Sequence, residues 1–115
     1  MSRALEAAIE RFYAELLARG YQPRTVACYQ RALCTLRRFL EGRGKRDLRE
    51  LERADLEAYL RWLERESIAA ESVFGQYLRL RRLFGYLTDE SVLLSNPAAG
   101  LRRRTPEPPI RRGLE

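Results

Sequence analysis

The chain has no histidine, two cysteines, and no apolar run near the roughly 20 residues needed to cross a bilayer. The first absence removes imidazole acid/base catalysis. The second leaves too few soft ligands for a finger-type zinc site. Cys28 and Cys34 fall six positions apart in one helical pattern, so their rise alone separates them by roughly 9 Å, and both are expected to be reduced. The opening MSRALEAAIE also lacks the apolar segment of a signal peptide, which makes the cytoplasm the expected compartment. No cofactor, metal, membrane or small-molecule substrate is expected. What is present is a chain of 115 residues, enough for one domain with a single modest core.

The formal charge is +6, and its distribution says more than its size. Residues 1–21 are balanced, with three basic and three acidic groups. Residues 22–46 hold seven basic side chains against Glu41, and residues 47–66 hold four arginines against seven acids. From 67 to 99 the charges balance again at three each, the arginines lying mid-segment and the acids at its ends. The tail from Gly100 adds five arginines against two glutamates. Positive charge is thus segregated, where even mixing would suggest solubility alone.

Apolar periodicity predicts four helices and an all-α bundle of four to five helices. Leu5, Ile9, Phe12 and Leu16 mark the first, with Ser2 as its N-cap and Gly20 just past its end. Pro23 suits the first turn of the second, which runs to about Gly42 with Val26, Tyr29, Leu33, Leu36 and Leu40 inward. The third spans about Arg53 to Glu66, with Leu56, Tyr59, Leu60 and Leu63 inward and Trp62 packing beside them. The fourth, from Ser72 to Thr88, buries Val73, Tyr77, Leu80, Phe84 and Leu87. Its Leu83 and Tyr86 project near the polar arc, so Val92-Leu93-Leu94 is expected to cover that half. Asn96-Pro97 opens a turn anchored by Leu101. After it, RRRTPEPPIRRG reads as a proline-broken linker.

Two of these helices carry a basic face. In the second, Arg24, Arg31 and Arg38 recur every seven residues, drift about 20° per step and stay on one arc. Ala27, Cys28, Cys34 and Thr35 between them are short, so a bulky partner can approach the backbone while the arginines reach around it. In the fourth, Ser72, Gly75, Gln76, Arg79 and Arg82 project opposite the buried stripe, with no acid between Ser72 and Thr88. The plain alternative for either face is solvation. The third helix, rich in acid, is not expected to face phosphate.

The runs ARGYQPRTVACYQRALCTLRRFL, LRELERADLEAYLRWL and ESVFGQYLRLRRLFGYLTDESVLLSNPAAGL, in that order, resemble the N-terminal core-binding, SAM-like domain of tyrosine recombinases, the phage integrase and Xer-like family. Gln22, Thr25 and Tyr29 match its helix-opening S-x-x-T-x-x-x-Y pattern. Leu83, Phe84, Tyr86 and Leu87 match the aromatic end of its long fourth helix. Asn96, Pro97, Ala98 and Leu101 match its closing N-P-A-x-x-L. The resemblance implies that residues 1–101 form a module clamping one face of double-stranded DNA, and that 102–115 lead to a separate catalytic domain. It also implies that this stretch does no catalysis itself and that protomers associate with one another on DNA.

The residues expected at the DNA are therefore Arg24, Thr25, Arg31, Arg38, Arg79 and Arg82, mainly on phosphate, with Gln30, Ser72 and Gln76 within reach of base edges. Two other readings compete: a helical protein-interaction module using Val92 to Leu94, and a stand-alone DNA-binding regulator. The second suits these long helices poorly, because a helix-turn-helix uses two short ones.

Overall fold

The computed structural model describes residues 3–101 apart from 46 and 67; the expected cap at Ser2 and the segment from Arg102 onward lie outside the described residues. The described residues form four helices, α1 Arg3–Ala18, α2 Pro23–Gly42, α3 Arg53–Arg65 and α4 Ala70–Asp89, with one 3-10 turn at Leu48–Glu50 before α3. No strand occurs among the described residues, so the architecture is the all-α bundle that the periodicity predicts.

Helix α4 is the centre, packing against each of α1, α2 and α3. Its five predicted stripe residues, Val73, Tyr77, Leu80, Phe84 and Leu87, are all buried. The stripes of α1, α2 and α3 meet them in one cluster, joined by edge contacts such as Phe12 on Tyr29 at 5.2 Å. Trp62 is half-buried and packs on Phe39 and Tyr59, a core role as expected.

Helix ends follow from backbone chemistry. Gly20, at φ +94°, lets Tyr21 N–H return to the Leu16 carbonyl, closing α1 with a Schellman turn. Gly44 at φ +81° does the same for α2, with Lys45 N–H on the Leu40 carbonyl. At α3, Glu52 and Asp55 form a reciprocal capping box.

Tyr86 packs on Phe12 of α1, ring centroids 5.2 Å apart. Ser91 adopts φ +60° and turns the chain back so that the Val92 and Leu93 N–H groups reach the Leu87 carbonyl. The segment therefore closes the end of α4, burying Leu93 while Leu94 is fully exposed. Beyond it, the Asn96 side chain accepts from Ala98 N–H at 2.8 Å, and Tyr77 Oη donates to the Leu101 carbonyl at 2.9 Å, anchoring the Asn-Pro turn as expected.

Candidate nucleic-acid interface

Arg24, Cys28, Arg31, Thr35 and Arg38 recur along α2 at alternating steps of four and three, which puts them on one flank of the helix. On α4, Ser72, Gln76 and Arg79 recur at steps of four and three, with Gly75 beside Gln76 and four residues before Arg79. Where the flanks face each other they form a groove of about 390 Å³, lined by Cys28, Arg31, Ala32 and Thr35 from α2 and by Glu71, Ser72, Gly75, Gln76 and Arg79 from α4. Ala32 and Gly75 are the small residues of its lining, and a Cβ added at Gly75 would meet only the end of the Arg79 side chain.

Three internal contacts shape it. Thr35 Oγ1 donates to the Arg31 carbonyl at 3.0 Å, turning its hydroxyl inward along α2. The Arg79 guanidinium folds back over Gly75, its Nη1 3.4 Å from where a Cβ on that glycine would sit. Tyr59, reaching from α3, donates its hydroxyl to Gln76 Oε1 at 2.7 Å. Burial pushes the Tyr59 phenol above the ordinary tyrosine range, so it stays a donor at neutral pH.

The charges are unevenly committed. Among the described residues, Arg24, Arg31, Arg38 and Arg79 form no ion pair, and neither does Glu71 at the groove's edge. By contrast, Arg37 reaches Glu6 of α1 at 2.6 Å, and Arg19 reaches Glu15 at 2.6 Å. At the start of α2 the side chain of Gln22 makes no cap hydrogen bond, Pro23 has no N–H to satisfy, and Thr25 N–H reaches the Gln22 carbonyl at 2.9 Å.

Of the residues expected from sequence, the groove brings together Arg31, Ser72, Gln76 and Arg79. Arg24 and Arg38 extend its α2 flank as exposed side chains, and Thr25 is half-buried in the first turn. Arg82 is elsewhere. It lines a second cavity with Phe12, Tyr21 and Tyr86, donates to Tyr21 Oη at 3.1 Å and lies over that ring at 5.8 Å. The phenols of Tyr29 and Tyr21 beside it raise its guanidinium above the ordinary value. Gln30 and Cys34 also turn away, toward α1, into a cavity shared with Glu6, Glu10 and Glu41. Sequence reasoning missed the Tyr59–Gln76 bond; a contact between residues 17 apart on two helices leaves no local pattern.

The described residues form an all-helical bundle, and the comparisons with known proteins give its family. Residues 9–92 match the family described as phage integrase, N-terminal SAM-like domain. The chain is also similar to the protein named tyrosine recombinase XerC of Lacticaseibacillus casei (strain BL23) and to that of Lacticaseibacillus paracasei (strain ATCC 334), 32% identical over 80 residues in each case. The matched stretch is 69% of this chain and 27% of each relative, so the chain spans about a quarter of their length. No solved structure matches. The chain belongs to the phage integrase N-terminal SAM-like domain family, and it is an N-terminal domain of the tyrosine recombinase type. Among the described residues no helix is long and apolar enough to cross a membrane.

Proposed function

We propose that this domain clamps double-stranded DNA through the α2/α4 groove, as the non-catalytic half of a site-specific tyrosine recombinase. The observation that carries the reading is the convergence of Arg31 and Arg79, neither ion-paired among the described residues, on one groove whose lining includes Ala32 and Gly75. An unpaired guanidinium beside a helix backbone is the group that phosphate recognition needs, and its charge is not already neutralised by a carboxylate. Arg24 and Arg38, two helical turns to either side of Arg31, extend the same flank along a duplex backbone by about 10 Å each way. The Thr25 hydroxyl, in the first turn of α2 beside Arg24, suits a further phosphate. Ser72 and Gln76 supply the hydrogen-bonding groups for base edges. Arg82 and Gln30 contribute at most at the margins, since each faces another cavity.

The family membership supports the same reading and extends it. Residues 102–115 serve as a basic linker to a catalytic domain, and strand cleavage belongs to that domain. With about four to six phosphates neutralised, log affinity falls with log salt at a slope of roughly −4 to −5. Fluorescence-anisotropy titration of a labelled duplex across salt concentrations tests this. Absence of binding at low salt, or a flat salt response, overturns it.

A second surface favours protomer contact. Leu94 stands fully exposed at a cavity whose lining also includes Leu48, Arg49, Leu51, Val92, Leu93, Ser95 and Pro97. Self-association through it predicts that Leu94→Glu lowers oligomerisation on DNA, read by sedimentation velocity, while one-to-one duplex binding persists.

A further inference from the structure

The carboxamide of Gln76 has an amine face and a carbonyl face, and which of them meets the groove decides what it can recognise. Read alone, a glutamine on a groove-facing helix suits adenine, where carbonyl and amine pair together with N6 and N7. That pairing needs a lone pair of Oε1 directed into the groove beside the amine. Here Tyr59 Oη lies 2.7 Å from Oε1. Tyr59 is fully buried, and among the described residues Gln76 is the one acceptor recorded for its hydroxyl hydrogen. Reversing the amide would point an N–H at the phenol oxygen and leave that buried O–H without an acceptor, which costs on the order of 1–3 kcal/mol. The bond therefore holds the carbonyl toward Tyr59 of α3 and leaves the amine as the group of Gln76 available in the groove that it lines with Arg31 and Arg79.

We propose that Tyr59 is a positioning residue that fixes Gln76 as a hydrogen-bond donor, so that the α2/α4 groove selects the acceptor edge of guanine, N7 and O6, over adenine. The inference rests on the duplex-binding reading above and deepens it. Guanine offers two adjacent acceptors to an outward amine, whereas adenine sets its own N6 amine against it. The flanking guanidiniums of Arg31 and Arg79 favour the same edge, and no second acceptor in the groove except Glu71 and the hydroxyls opposes it.

The test is selection from a randomised duplex library by the full 115-residue chain, its Tyr59→Phe variant and its Gln76→Glu variant, with the salt slope of each measured in parallel. The unaltered chain is expected to enrich guanine at one position. Tyr59→Phe frees the amide to reverse and lowers the guanine-over-adenine ratio there by about tenfold, with affinity for unselected duplex changed less than about threefold. Gln76→Glu presents an acceptor instead, and the same position moves toward cytosine, whose N4 amine donates. A merely structural role for Tyr59 would lower the melting temperature and leave base preference alone. If Tyr59→Phe does not melt cooperatively, Gln76→Glu decides the matter by itself. If duplex binding and its salt slope persist but no guanine position responds, the positioning role is overturned and duplex binding stands. If the unaltered chain binds no duplex at low salt, both fall together.

Discussion

The flank of α2 that meets α4 and the corner where α2 turns into α3 are both rich in cationic side chains, yet they differ in what those charges touch. Along the flank, Arg24, Arg31 and Arg38 have no carboxylate partner among the described residues. At the corner, Arg43 Nε lies 3.2 Å from Asp55 Oδ1 and Lys45 Nζ lies 3.6 Å from Asp55 Oδ2. Asp55, only 3% exposed, also accepts from Glu52 N–H at 2.9 Å, and Lys45 donates to the Glu50 carbonyl at 3.2 Å. Basic composition alone would make both regions candidate DNA contacts. The pairing makes one a latch for the fold and leaves the other open to an external anion.

Substitutions can break that contrast from either side. Removing both Arg31 and Arg79 as alanines is expected to weaken duplex binding on the order of 100-fold at low salt, from two lost charge-assisted contacts, with the urea midpoint little changed. Replacing Arg43 and Lys45 in the same way should do the reverse, leaving duplex affinity within about twofold while stability drops. Comparable losses of affinity in the two double variants would erase the distinction. Asp55→Ala is next in size. It removes the anion that both corner cations face and half of the α3 capping box, so urea unfolding should show a loss of about 2 kcal/mol with duplex affinity retained in the folded protein.

Alkaline pH sharpens the contrast without mutation. Burial pushes the Tyr13 phenol from 10.0 up to about 12, and that of Tyr59 above its ordinary range. A folded-state pKa raised above the unfolded one gives stability that is complete below about pH 10 and lost as pH rises through the folded value. Thermal melts should therefore be flat near neutrality and fall between about pH 10 and 12, and Tyr13→Phe should flatten part of that fall. The smallest effect is expected at Gly75, where an added Cβ meets the end of a flexible arginine at 3.4 Å. Gly75→Ala should stabilise α4 by about 0.5–1 kcal/mol and change duplex affinity less than twofold.

The bundle was legible because burial repeats with helical period. Every predicted stripe residue of α4 is buried, and Asn96-Pro97 marks a real turn anchored through Leu101. The groove was legible in part, since Arg31 and Arg79 each lie opposite a buried stripe and the packing of α2 on α4 brings them together. The misplacements have one cause. A helical projection gives the direction of a side chain but not the neighbour it meets. Arg82 is three residues beyond Arg79, yet that rotation carries it to Tyr21, 61 positions away in sequence. Gln30 adjoins Arg31 and faces α1. Asp55 is one of seven acids in the run 47–66, and nothing local marks it as the one that is buried and paired with Arg43. For the same reason the hydrogen bond that orients Gln76 could not be read from the chain.

The most direct test of the open flank is the difference in salt slope between the unaltered chain and the Arg31→Ala/Arg79→Ala variant, both titrated against one duplex. Each phosphate contact contributes nearly one unit of slope, so the variant should be shallower by about two. Equal slopes for the two proteins would mean that these arginines do not meet phosphate, and would contradict the account.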